Sequence, residues 1–130
     1  MRQPIFDPPI IAIDFDGTIV DNEYPEIGEV KDGAREFINM LKEEGYRVVI
    51  WTCRDNEEEI KEFLDENNVQ YDAFNSNDAI SEEEMNELGF EDTRKIGADI
   101  VIDDRAIEFK GNWHEITARV KRIIDVWEEK

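Results

Sequence analysis

The sequence predicts an α/β fold, a doubly wound and mostly parallel sheet with helices on both faces in three layers. Two observations predict it. Short apolar runs alternate with segments of helical periodicity along the chain, as in parallel strands joined by crossover helices. The runs at residues 10–14 and 47–52 are nearly all apolar, which is typical of strands buried on both faces. A chain of 130 residues can bury one substantial core, so we expect one domain over residues 1–130.

The first half of the chain contains two predicted strands and two predicted helices. A polar loop over residues 21–33 separates the first strand, 10–14, from a helix that begins near Ala34 and ends at Gly45. The second strand, 47–52, is followed by a helix with Asp55 or Asn56 as its N-cap.

The second half contains two further strands and two helices. We expect strands at residues 69–74 and 98–103, with a capping box of Ser81 and Glu84 between them. The last helix has a regular apolar stripe, and we expect its tryptophans to lie in the core; the stripe consists of Trp113, Ile116, Val120, Ile123 and Trp127.

Two acids at the end of the first strand are the clearest functional signal. The run IAIDFDGTIVD places Asp14 and Asp16 two positions apart, on one face of the strand, just before a Gly-Thr turn. Like charges at this spacing are unfavourable unless a cation or a proton lies between them. In doubly wound sheets, ligands bind beyond the carboxyl ends of the strands, so these acids indicate a reaction site.

Four motifs in order resemble those of the haloacid dehalogenase-like hydrolases. DFDGT resembles motif I, VVIWTCR with Thr52 resembles motif II, Lys95 in TRKIGADIVIDDRA resembles motif III, and Asp103-Asp104 resembles motif IV. The matched segments run from residue 11 to residue 106. The gaps between the motifs are too short for the cap domain that many members carry, so the resemblance implies a small capless phosphatase.

The resemblance implies a role for each acid. Asp14 is the candidate nucleophile, which forms an aspartyl-phosphate, and Asp16 is the candidate general acid and base. The backbone carbonyl of Asp16 is a metal ligand in the family. We expect Asp104 to bind the metal directly and Asp103 to support it, and oxygen-only ligands favour Mg²⁺ over zinc.

Polar residues at the other strand ends are candidate substrate contacts. Thr52 is expected to hydrogen-bond the transferring phosphoryl oxygen, and Arg54 is expected either to clamp phosphate or to be solvated at the surface. Asn75 and Asn77 contact the leaving group or serve as turn residues. Lys95 is expected to neutralise Asp14 and the phosphate, although only eight residues separate it from Asp103; the chain must then double back near Gly97.

The composition limits the partners and the compartment. The net charge of −19 disfavours polynucleotides and anionic membranes, and no apolar run is long enough to cross a membrane. The amino terminus lacks the apolar stretch of a signal peptide, and the one cysteine cannot form an internal disulfide, so we expect a cytoplasmic protein. The oligomeric state is left open.

These observations favour a Mg²⁺-dependent phosphomonoesterase that acts on a small phosphorylated metabolite, such as a nucleotide or a sugar phosphate. Two alternatives remain open at this point. One is a polynucleotide end phosphatase or a phosphotransferase, and the other is a non-catalytic phosphate-binding protein on the same fold.

Overall fold

The computed structural model describes residues 3–129 and contains four strands and four helices. In chain order these are β1 (Ile10–Asp14), α1 (Ala34–Glu43), β2 (Arg47–Trp51), α2 (Glu57–Glu66), β3 (Ala73–Phe74), α3 (Glu82–Leu88), β4 (Ile100–Ile102) and α4 (Trp113–Glu128). The strands form one parallel sheet in the order β3-β2-β1-β4. The predicted α/β fold is therefore confirmed.

The sheet has an apolar layer on each face. Side chains of α1 and α2, among them Ile38 and Leu64, pack against Ile11, Ile13 and Ile50 on one face. The alternate strand residues pack on the opposite face with the segment that contains α3; this second cluster includes Phe6, Ile10, Ala12, Val49, Ala73 and Ile80. This alternation gives the three layers expected from the sequence.

The third strand is shorter than predicted, and at its start Asp72 bonds β2 through both its backbone N–H, which donates to the Val48 carbonyl at 2.8 Å, and its side chain. Asp72 accepts a hydrogen bond of 2.7 Å from the Val48 amide through its carboxylate, and it also binds Lys42 at 2.6 Å. The regular pairing of β3 with β2 then begins only at Ala73. The fourth strand is also short, and it occupies three of the six predicted positions.

The last helix forms as predicted, but its predicted burial is wrong. No residue of α4 is buried, and Trp113 and Trp127 are 70% and 64% exposed. The amphipathic stripe was enough to predict the helix, but the structure does not place that stripe against the sheet. Within residues 3–129, no helix is long and apolar enough to cross a membrane.

An ion pair joins the start of β2 to α3. Arg47 donates to both carboxylate oxygens of Glu84, at 2.7 and 2.8 Å, while Glu84 also completes the predicted capping box with Ser81. The hydrogen bonds from Arg47 are the main reason that the pKa of Glu84 is lowered from 4.5 to about 2. The folded state therefore favours the ionised form of Glu84.

We expect Glu84→Gln to lower the free energy of unfolding at pH 7 by about 1–2 kcal/mol, because the charge-assisted pair is lost from a partly exposed site. A folded-state pKa below the unfolded one gives stability that is complete above about pH 4.5 and is lost as the pH falls towards 2. The difference in the free energy of unfolding between Glu84→Gln and the wild type should therefore shrink as the pH falls from 4.5 towards 2. Urea unfolding at several pH values measures it, with Glu83→Gln as the control for a charge change on the exposed side of α3. An equal effect of the two substitutions would contradict the role of the pair.

Candidate active site

The carboxyl ends of three adjacent strands place the candidate residues together. In the parallel sheet, Ile13 of β1 pairs with Ile102 of β4, so Asp14 and Asp103 follow at the same edge. On its other side β1 pairs with β2 through Asp14 and Trp51, and Thr52 comes next in the chain. The site predicted from the sequence thus lies where ligands bind in doubly wound sheets.

Three carboxylates converge at this edge. Oxygens of Asp14, Asp103 and Asp104 all lie within 4.8 Å of one another. Asp14 and Asp103 are partly buried, and Asp104 is exposed. The hydroxyl of Thr18 donates a hydrogen bond of 3.0 Å to Asp14 Oδ2. This bond orients the Asp14 carboxylate.

The electrostatics of the cluster are unfavourable without a cation. Burial raises the pKa of Asp14 to about 6, and a hydrogen bond with Asp104 and the charges of Asp103 and Asp104 act in the same direction. The Thr18 hydrogen bond opposes them. Among residues 3–129, no ion pair joins a basic side chain to any of the three acids.

A glycine allows Asp104 to approach the strand end. Gly17 has a φ of +84°, and a Cβ built there would lie 2.4 Å from Asp104 Oδ2. Any side chain at this position would therefore displace the Asp104 carboxylate. The sequence identified Gly17 only as a turn residue; the structure adds that Asp104 packs directly over it.

Asp103 and Asp104 have different local partners. Asp103 Oδ1 accepts a hydrogen bond of 2.8 Å from the backbone N–H of Arg105, which stabilises the turn after β4. Asp104 instead lies over Gly17 and close to Asp14. The order in which Asp104 is the direct ligand and Asp103 the supporting one stays a prediction.

Asp16 is held by a buried arginine rather than by the carboxylate cluster. Arg54 Nε and Nη2 each donate to one oxygen of Asp16 at 2.7 Å, and the arginine side chain is only 2% exposed. Its remaining bonds go to the carbonyls of Pro25 and Glu26, at 2.9 and 2.6 Å. Arg54 therefore fixes both Asp16 and the loop between β1 and α1.

The predicted phosphate clamp at Arg54 would require these bonds to break. All three nitrogens of the Arg54 guanidinium donate to protein oxygens in this structure. Each nitrogen that would bind a phosphate therefore already has a protein acceptor. The alternative of a solvated surface side chain is wrong, because the Arg54 side chain is only 2% exposed, and the phosphate clamp stays a prediction.

The side chain of Asn75 holds the backbone of Thr52. Its Oδ1 accepts from the Thr52 N–H and its Nδ2 donates to the Thr52 carbonyl, both at 2.7 Å. The hydroxyl of Thr52 accepts from the Arg54 N–H at 3.2 Å. Asn75 thus positions the end of β2, and its predicted contact with a leaving group would compete with this pairing. Asn77 likewise bonds the segment at residues 92–97.

Among residues 3–129, no ion pair joins Lys95 to Asp14, Asp103 or Asp104, so its predicted role stays a prediction. Lys95 is exposed and lines a groove with Phe90 and Ile96 on the α3 side of the sheet. Its carbonyl accepts from Asn77 and from Thr93, both at 3.2 Å. Gly97 serves close packing, because a Cβ there would lie 2.8 Å from Ile80 and 2.9 Å from Phe6.

The three carboxylates fit a hard divalent cation. They supply only oxygen donors, as Mg²⁺ prefers, and Mg²⁺ is bound by one or two carboxylates with the rest of its shell open to water and phosphate. Burial is the main cause of the raised pKa of Asp14, and a cation there would offset both the burial of its charge and the added repulsion from Asp103 and Asp104. The candidate ligands are Asp14 and Asp104, supported by Asp103, while the side chain of Asp16 is bound to Arg54.

Comparisons with known proteins agree with this assignment of the fold. A family model described as haloacid dehalogenase-like hydrolase matches residues 11–96, a range that includes Asp14 and Thr52 and ends before Asp103. A solved structure of a conserved protein from Bacteroides thetaiotaomicron is 35% identical, with a TM-score of 0.63; the match covers 88% of this chain and 90% of that one. The comparison with curated proteins gives no match.

We expect Gly17→Ala to weaken divalent cation binding at least about tenfold, because the new Cβ would displace Asp104. The matched control is Gly45→Ala, which has a φ of +91° and open space around its Cβ position. Both substitutions place alanine in the left-handed region, at a cost of about 1–2 kcal/mol in stability. Calorimetric titration with Mg²⁺ and urea unfolding separate the two effects. Equal cation affinity in the two variants would contradict the proposed contact.

Proposed function

Because the chain belongs to the haloacid dehalogenase-like hydrolase family, we propose that it is a Mg²⁺-dependent phosphomonoesterase acting through an aspartyl-phosphate. The observation that carries the proposal is the convergence of Asp14, Asp103 and Asp104 at one edge of the sheet. Phosphoryl transfer needs a nucleophile, compensation of negative charge and a proton donor, and the chain offers a candidate for each.

In the first step, an oxygen of Asp14 attacks phosphorus and the bond between phosphorus and the leaving oxygen breaks. The Thr18 hydroxyl holds the opposite oxygen of Asp14 at 3.0 Å, so the carboxylate keeps one orientation during the attack. Asp16 donates the proton that the leaving oxygen needs to depart as an alcohol.

In the second step, Asp16 takes a proton from water as the water oxygen attacks phosphorus. The bond between phosphorus and Asp14 breaks, which releases inorganic phosphate and restores the carboxylate. Both oxygens of Asp16 bind Arg54, so the acid role requires a proton on an Asp16 lone pair that Arg54 does not use. That proton goes to the leaving oxygen in the first step, and the proton taken from water in the second step replaces it.

A divalent cation supplies the charge compensation that lets an anionic phosphate approach these acids. Asp14 and Asp104 would hold it, and Asp103 would support the turn that carries Asp104. Thr52 is the proposed donor to a phosphoryl oxygen, because Asn75 fixes its backbone at the end of β2. The role of Lys95 remains the prediction made from its motif.

A small phosphorylated metabolite is the proposed substrate class. Within residues 3–129, the segments between β1 and α1 and between β2 and β4 contain no separate cap domain that would enclose a substrate. The net charge of −19 opposes a polynucleotide, which would bring many phosphates to an acidic surface.

We expect Asp14→Asn to abolish hydrolysis of a generic aryl phosphate while the protein keeps its fold, because an amide cannot act as the nucleophile. Steady-state assay with and without Mg²⁺ measures the activity, and circular dichroism checks the fold. Asp78→Asn removes an exposed acid outside the cluster and should retain wild-type turnover. Near wild-type turnover of Asp14→Asn would refute the assignment of the nucleophile.

The two acids after β4 should contribute unequally to the metal site. Asp104→Ala is expected to weaken Mg²⁺ binding at least about tenfold, and more than Asp103→Ala, because Asp103 already bonds the Arg105 amide. Calorimetric titration of both variants with Mg²⁺ tests the order. A larger loss in Asp103→Ala would reverse it.

A further inference from the structure

Within the described range, residues 3–129, two apolar surfaces are left uncovered by any other element. The first is a groove of about 670 Å³ beside α1, here called the β1/β4 groove. Its floor is formed by Ile11, Ile100 and Ile102, and its wall by Phe37 and Leu41 of α1. Ile100 is 48% exposed, although it lies in a strand of the sheet. A sheet face with this composition is normally covered by a helix.

The second surface is the apolar stripe of α4. The stripe repeats at alternating spacings of three and four residues, the pattern of a helix that packs along its whole length; it consists of Trp113, Ile116, Val120, Ile123 and Trp127. None of these side chains is buried. An isolated helix of about this length is only marginally stable in water, so α4 needs a surface to pack against.

The distribution of charge along the chain favours packing of α4 against residues 1–104 of a chain with this same sequence. Residues 1–104 contain 29 acidic and nine basic residues, whereas residues 105–130 contain five acidic and six basic ones. Arg119, Lys121 and Arg122 lie in the middle of α4, and Glu44 stands at the edge of the groove. Placing the nearly neutral helix on the acidic body brings opposite charges together around an apolar contact.

Local contacts order the segment between β4 and α4. Asp103 bonds the Arg105 amide at 2.8 Å, the rings of Phe109 and Trp113 lie 4.8 Å apart, and Asn112 caps the first turn of α4. In this arrangement α4 does not cover the groove of its own chain. A second copy with the same arrangement can cover it.

We propose that two copies of this chain form a symmetric dimer in which each α4 occupies the β1/β4 groove of the other. Such an exchange covers both apolar surfaces of both chains, as a two-fold interface requires. Four tryptophans, two from each helix, would contribute roughly 600–1,000 Å² at 150–250 Å² each. Stable interfaces bury about 1,200–2,000 Å² in total, so the aliphatic residues of the stripe and groove need to supply only the remainder.

Light scattering of the full chain tests the dimer, and we expect twice the mass of one chain. Ile123→Glu in the stripe and Ile100→Glu in the groove should each give the mass of a single chain. Ala118→Glu places the same charge on the opposite face of α4 and should leave the dimer intact. A wild-type mass of one chain, or dissociation caused equally by Ala118→Glu, would overturn the proposal.

Crosslinking distinguishes exchange from the other arrangements of α4. In a Cys53→Ser background, one chain carries Ile100→Cys and another carries Ile123→Cys, and the two are refolded together. A short bismaleimide should join them into a two-chain product that neither variant gives alone. A product from Ile123→Cys alone would mean that two α4 helices pair with each other. Crosslinking within one doubly substituted chain of single-chain mass would mean that α4 folds back on its own body. Either result would overturn the exchange.

Discussion

Repulsion between carboxylates is the constraint on which the site depends. Parallel pairing of β1 with β4 brings Asp14 and Asp103 to the same edge, and the turn after β4 adds Asp104. Three acids within 4.8 Å of one another are unfavourable in a partly buried place unless a cation joins them. Burial is the main cause of the raised pKa of Asp14, and the charges of Asp103 and Asp104 raise it further. A fold that keeps such a cluster is suited to binding a divalent cation together with an anionic substrate.

The fourth acid, Asp16, forms an ion pair with Arg54. The bidentate pair compensates the charge of Asp16 locally, while the same guanidinium binds two carbonyls of the loop after β1. Two acids only two residues apart therefore have different surroundings. Asp14 lies among acids and Asp16 faces a base, a division that suits a nucleophile and a proton-transfer group in one reaction.

The carboxyl-terminal part of the chain links the site to the apolar surfaces. The turn that carries Asp103 and Asp104 begins the segment that leads to α4. If α4 docks on a second copy, the turn with the cluster is anchored on both sides, by β4 before it and by the docked helix after it. The charge difference between the acidic body and the nearly neutral last segment supports contact between them.

The sequence by itself determined the order of the elements, the parallel α/β fold and the position of the carboxylates at the strand ends. These features follow from local patterns: apolar runs, helical spacing, the Ser81 capping box and acids placed directly after strands. The tertiary structure decided what depends on contacts between distant segments. Arg54 could be paired with Asp16 only once the loop after β2 was placed, and Asn75 could be assigned to the Thr52 backbone only once β3 was. The exposure of Trp113 and Trp127 likewise could not be predicted from the sequence. An apolar stripe indicates that a helix packs against another surface, but it does not identify that surface.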